Sequence, residues 1–279
     1  MVKQALFSAI LFAFASGPSV ALPLVDNFDF SQALAQDNTN GIGSSSATAS
    51  GLDPGSIIGG QREIYVNAIS GADAFSGTRA GVASSRFAFA NDSGVAGIGA
   101  VRWDGTSTTG FDTTLADFGI DRTGFAGVNF AAVANSLKLT ILNSDAAFPF
   151  TLQFFSSDSA WTSFTFAAIP VCTAGDVSCL SQAGAVVGPT DFFFNFALMN
   201  LLGTKFGGGA DFSNITAMQA IFNFSNGSPG SAQAVDFSID FETVTSPTTP
   251  VPEPETYAML LAGLGMMGFV ARRRKNKTS

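Results

Sequence analysis

Apolar and polar residues alternate most cleanly in two stretches of the chain. In Ser136–Asn143, SLKLTILN, the side chains of Leu137, Leu139 and Ile141 face one way. In Ala234–Val244, AVDFSIDFETV, Phe237, Ile239 and Phe241 alternate with Asp236, Ser238 and Asp240. A period of two is that of a strand with one buried face. Shorter apolar runs bounded by turn residues extend the pattern. Leu22–Phe30 reads as a first strand, and Ile57–Ile69 as a strand with a glycine pair that forms a bulge. Phe87–Ala90 and Val95–Trp103 read as a hairpin around Asn91–Gly94. Val128–Val133 is a further strand, and Thr151–Ser156 pairs with Trp161–Ala167 across Ser157-Asp158-Ser159. Ala185–Phe196 carries Phe192, Phe193, Phe194 and Phe196 and reads as a strand buried on both faces. Ile215–Phe224 completes the set. Asp37–Gly55, Asp104–Gly110 and Gly207–Gly209 are polar or glycine-rich loops, and Leu198–Gly203 is the one short helical turn. Ten or eleven short strands with almost no helical period predict an all-β fold. The expected architecture is an antiparallel β-sandwich, jelly-roll-like in its connections. The 29 phenylalanines need burial, and the space between two sheets provides it.

Both ends of the chain break this pattern. Met1–Ala21 holds one charge, Lys3, then an apolar run over Ala5–Ala15 that stops at Gly17-Pro18. Ser19-Val20-Ala21 places small residues at the recognition positions, so 1–21 reads as a Sec-type signal peptide cut after Ala21. At the other end Thr256–Ala271 is uncharged and apolar all round. As a helix it is roughly 24 Å long, short of the ~30 Å hydrocarbon core but able to span a thinned bilayer. Arg272, Arg273, Arg274, Lys275 and Lys277 follow at once. Basic residues beside a span stay in the cytoplasm, so 272–279 reads as an inner tail and everything before the span lies outside. Pro250, Pro252 and Pro254 bound the helix in a Pro/Thr linker, 247–255. Gly263–Gly268 matches G-x-G-x-x-G, but no strand precedes it and no acidic residue follows. Small residues in a membrane helix explain it better than a dinucleotide site.

Pro252-Glu253-Pro254, the apolar segment and Arg272-Arg273-Arg274 together resemble the PEP-CTERM sorting signal of Gram-negative bacteria. The resemblance covers about the last thirty residues. It implies recognition by the membrane enzyme exosortase, transient residence in the inner membrane, and removal of the tail during export to the cell surface or extracellular matrix. It further implies a host with an exopolysaccharide system, and so association with exopolysaccharide or biofilm.

Composition narrows what the body, 22–246, can meet. It holds seven Lys+Arg against nineteen acidic residues, a formal charge of −12. Such a surface repels nucleic acid and anionic lipid. The two cysteines, Cys172 and Cys179, lie seven apart in VCTAGDVSCL. In an exported chain they read as a disulfide closing a loop. A metal pair is the alternative, but no histidine or third cysteine completes a zinc site.

Catalytic chemistry is thinly supported. The absence of histidine removes Ser-His-Asp and Cys-His arrangements, and no phosphate-binding loop appears. A carboxylate pair for glycoside hydrolysis is conceivable, yet the body has only Glu63 and Glu242 as glutamates. Its aspartates are spread through turns, where they cap local backbone. No cofactor is indicated. Asp104, Asp112, Asp117 and Asp121 share a loop-rich region and are the candidate Ca²⁺ ligands, with solvated turn acids as the plainer reading. For glycan binding, Trp103 between Arg102 and Asp104 is the first candidate and Trp161 the second. Each needs an exposed ring face, and packing at the rim of the core is the alternative. ADFSNITAMQAIFNF and AVDFSIDFETV are similar to the ends of carbohydrate-binding jelly rolls, a resemblance that covers two strands and transfers no binding residue. The expectation is a non-enzymatic exported surface or matrix protein, with a lectin-like glycan-binding module, with or without Ca²⁺, as the alternative.

Overall fold

The computed structural model describes residues 25–39, 45–53, 55–106, 110–112, 115, 117–132, 134–144, 148–166, 186–225, 228–229 and 235–244. The segments expected from sequence to be a signal peptide, a linker and a transmembrane helix, and Cys172 and Cys179, lie outside these residues. No helix among the described residues is long and apolar enough to cross a membrane.

The described body is built from antiparallel strands in two main sheets. The strands are β1 (Gln32–Asp37), β2 (Ser45–Ser50), β3 (Gln61–Ser70), β4 (Thr78–Val82), β5 (Phe87–Asn91), β6 (Ala96–Trp103), β7 (Ser136–Ser144), β8 (Phe150–Ser157), β9 (Ala160–Phe166) and β10 (Val186–Asn195). A helix of about two turns follows, α1 (Phe196–Leu202), and then β11 (Thr204–Phe206), β12 (Ala217–Phe222), β13 (Phe224–Ser225), β14 (Ser228–Pro229) and β15 (Val235–Val244). Sheet A runs β1-β4-β5-β15-β7-β10 and sheet B runs β11-β9-β8-β12-β6-β3-β2. The chain repeatedly leaves one sheet for the other, from β3 to β4, β5 to β6, β7 to β8 and β9 to β10.

The two sheets share one apolar core. Sheet A contributes Phe87, Phe89, Leu137, Leu139, Ile141 and Phe241, and sheet B contributes Ile64, Val66, Val101, Trp103, Leu152 and Phe222. The alternation of Ser136–Asn143 therefore does what its period requires. Phe222 sits at the centre, with Phe87 at 5.2 Å and Phe150 at 5.4 Å between ring centroids. Each such ring, fully buried, stabilises the fold by roughly 2–3 kcal/mol.

Phe89 lies so close to the β6 backbone that a Cβ at residue 99 would stand 2.4 Å from its ring. That position is glycine, for steric reasons alone. Gly99→Ala is expected to cost about 1–3 kcal/mol, because Phe89 is fully buried and has nowhere to retreat. Urea unfolding of the variant measures this, and an unchanged midpoint would mean that the core yields more readily than its packing implies.

Several expectations from the sequence need correction. Residues 25–30 form no strand; their ladder pairing is limited to isolated bridges from Asp26 to Ile57 and Phe241. The first strand is Gln32–Asp37. The loop expected over 37–55 contains β2, whose serine, alanine and threonine residues carry no apolar alternation. The strand expected over Val128–Val133 is not formed in 128–132, the described part, where only Val128 bridges to Ile215. β4 was missed because its inner side, Thr78, Ala80 and Val82, has too few bulky apolar residues to show a period.

Candidate functional site

The outward face of sheet B carries the polar chemistry of the body. Strand register places Thr48, Glu63, Arg102, Gln219, Gln153, Ser163 and Thr204 on one line across all seven strands. Several neighbours on this line are hydrogen-bonded. Arg102 Nε donates to Glu63 Oε2 at 2.5 Å, Gln219 donates to Gln153, and Gln153 Nε2 donates to Ser163 Oγ at 3.2 Å. The segment between β6 and β7 folds over the line. Gln219 Nε2 holds it by donating to the carbonyl of Asp117 at 2.7 Å. Phe111 covers the Arg102 guanidinium at 3.9 Å and stacks on Tyr65 at 4.7 Å. The sequence placed Glu63, Arg102, Gln219, Gln153 and Ser163 at strand positions but Thr48 in a loop, and only register aligns them.

Arg102 and Asp104 are fully buried under this cover. Asp104 Oδ2 lies 3.4 Å from Arg102 Nε and accepts the Asp121 amide at 3.2 Å. Its Oδ1 is buried without a hydrogen-bond partner. Burial pushes the Asp104 carboxyl up to about 6, against the pull of Arg102 and with a further push from Glu63. Two carboxylates on one arginine could suggest acid–base chemistry. Here Asp104 has no exposed surface, so no substrate reaches it in this arrangement.

Trp103 faces the opposite way, into the core, with no exposed area. Its indole Nε1 donates to Asp26 Oδ2 at 2.9 Å, and its ring meets Phe241 edge-on at 5.7 Å. A ring with no free face cannot stack on a sugar, so Trp103, Arg102 and Asp104 are corrected from glycan candidates to structural residues. The sequence could not reveal this partnership, because Asp26 is 77 positions away.

The candidate calcium ligands also have other partners. Asp117 binds Arg122 through Oδ2, at 2.6 Å to Nη2 and 2.9 Å to Nε. Asp121 Oδ1 accepts from the amide and hydroxyl of Thr123 in a local turn. Asp112 adjoins Gly119 in the same covering segment. Among the described residues no three acidic groups converge as a metal site.

Trp161 is the predicted residue that keeps a partly open ring. It stands in β9 opposite Phe206 of the edge strand β11. The two rings are nearly parallel, 13° apart, with centroids at 6.4 Å. Phe206 is more than half exposed. The Arg122 guanidinium lies 5.9 Å from the Trp161 ring and 5.6 Å from Phe155, and its Nη1 donates to the Asp158 carbonyl at 2.8 Å. The result is an aromatic ledge backed by a partly exposed arginine–aspartate pair. Phe206 and Arg122 were not singled out from sequence, because TKFGGG is too short to show strand alternation and Arg122 lies in a loop.

No curated protein matches the chain. Among solved structures, it is similar to a family 11 carbohydrate-binding module from Clostridium thermocellum in complex with a β-1,3-1,4-mixed-linked tetrasaccharide. The identity is 8%, over 76% of this chain and 95% of that one, with a TM-score of 0.31. A second structure, the family 11 module of a cellulosomal cellulase from Clostridium thermocellum, gives 8% identity over 77% and 96%, with a TM-score of 0.30. Residues 250–275 match the PEP-CTERM protein-sorting motif, so the chain carries the sorting signal of an exported, membrane-processed protein.

Proposed function

We propose that the chain is a non-enzymatic surface or matrix protein, delivered through an exosortase-type enzyme and associated with exopolysaccharide once outside. The observation that carries this reading is the sorting motif at 250–275. Replacing Pro252, Glu253 and Pro254 together by alanine is expected to leave the protein membrane-bound and full length in an exosortase-bearing host. The wild type should lose its basic C-terminus and leave the membrane fraction. Intact-mass analysis of both fractions tests this, and identical processing of the two chains would overturn it.

A lectin-like role is the second reading, and it rests on the ledge of Trp161 and Phe206 with Arg122 beside them. Rings of this kind cover the apolar face of a sugar while an arginine takes its hydroxyls. On a glycan array, with and without calcium, Trp161→Ala is expected to lose at least tenfold in affinity for any selective ligand. A blank array, or binding that survives the substitution, removes the ledge as a glycan site.

A further inference from the structure

Three leucines stand in water on one side of α1. Leu198, Leu201 and Leu202 are 53%, 69% and 67% exposed. Their spacing of three and four places them on one helical face, while Phe196 and Met199 bury the other. Through Gly203 the helix runs directly into β11, whose Phe206 is 56% exposed beside Trp161. Lys205 lies between them, its Nζ donating to the Asn200 carbonyl at 3.1 Å. Leucines flanked by an aromatic pair and a lysine make the composition of a surface that rests at a lipid interface.

The topology indicates what covers it. Val244, the last strand residue, pairs with Ser136, and Ser136 pairs with Asn195. Asn195 is the N-cap of α1, its side chain accepting from the amides of Ala197 and Leu198. The chain therefore leaves the body at the end where α1 begins, two strands away, or about 10 Å. Only 245–255 separate that exit from the uncharged stretch Thr256–Ala271 of the sorting segment. Eleven residues span at most roughly 36–40 Å. The leucines thus stand at the end of the body from which the linker to the sorting segment departs.

We propose that, in the anchored precursor, the apolar face of α1 with Phe206 and Trp161 docks on the outer leaflet of the same membrane. This rests on the membrane-anchored reading of the sorting segment given above. The contact is apolar in kind, because the body's excess of acidic residues opposes attraction to anionic lipid. A sugar is a poorer fit to the leucine face, which offers a glycan no hydrogen bonds. Tail removal frees the ledge, so the lipid contact belongs to the precursor and any glycan contact to the released form.

The chain contains its own probe, since its two tryptophans are Trp161 and the fully buried Trp103. The full chain is reconstituted into neutral phosphatidylcholine vesicles with brominated acyl chains. Trp161 emission is expected to fall at least twofold relative to unbrominated vesicles. Trp161→Phe should leave only unquenched Trp103 emission. The triple variant Leu198→Ser, Leu201→Ser, Leu202→Ser should still float with the vesicles while losing the quenching. If the wild-type chain fails to float, the anchored reading fails. If it floats and Trp161 is not quenched, or the triple variant is quenched equally, the docking proposal is overturned. An unquenched chain that cross-links as a dimer, with the dimer absent in the triple variant, would overturn it in favour of a second copy.

Discussion

Arg62→Met is expected to destabilise the body by about 3–5 kcal/mol, the usual cost of leaving a buried charge without its partner. Arg62 is fully buried in β3 and directed into the core. Its Nη1 donates to both oxygens of Asp26 at 2.9 and 2.7 Å, its Nε to Gln32 Oε1 at 2.6 Å and its Nη2 to the Phe30 carbonyl at 2.6 Å. Asp26 also accepts from Trp103 Nε1 and from the amide of Phe28. One arginine thus fastens the irregular segment 25–30 and the start of β1 to sheet B. Methionine fills much of the volume but leaves the buried Asp26 carboxyl without its cation. Burial already pushes the Asp26 carboxyl up, and Arg62 is the largest influence holding it down. Removing Arg62 should therefore let Asp26 take up a proton, and the loss should shrink as the pH falls. Asp26→Asn added to Arg62→Met should recover part of the stability, since the buried charge is then gone. Urea unfolding of the single and double variants at pH 5 and pH 7.5 measures these differences. A single variant as stable as the wild type at pH 7.5 would show that the network contributes only shape.

This network also marks where sequence reading stops. The strands with clear alternation, Ser136–Asn143 above all, were legible because a buried face writes its period into neighbouring residues. β2 and β4 were not, since serine, alanine, glycine and threonine fit either face. Trp103 was read as a site residue because polar neighbours in sequence, Arg102 and Asp104, suggested a rim. In a strand those neighbours point to the opposite face, where a folded-over segment buries them. Trp161 was legible as an aromatic at a turn, but its partner Phe206 is 45 positions on and is brought alongside by pairing of β11 with β9. Contacts between distant strands depend on register, and register is not a local property.

Asp104 supplies the second large effect, with the opposite pH dependence to the familiar one for acids. Its carboxyl is pushed up to about 6, from an ordinary value near 3.8. Between those values the folded protein binds more protons at this site than the unfolded chain does. Stability therefore falls as the pH rises from 3.8 through 6, and above that range the whole penalty is present. A shift of this size corresponds to about 2–3 kcal/mol. Burial of Asp26 acts in the same direction and leaves some slope of its own. Asp73 and Asp211 behave differently, because hydrogen bonds to Phe75, Ser76 and Ser213 hold them low. Their contribution is present above the ordinary value and is lost only at more acid pH, outside the window that Asp104 governs. Asp104→Asn is then expected to raise stability at pH 7.5 by about 1–3 kcal/mol, part or all of that penalty. Asparagine can still accept the Asp121 amide, and Glu63 remains to neutralise Arg102. The variant should also flatten the dependence between pH 4 and pH 6. Thermal or urea unfolding across that range measures both. A variant less stable than the wild type at pH 7.5, with its slope intact, would show that ionised Asp104 holds Arg102 in place and that its pairing outweighs its burial.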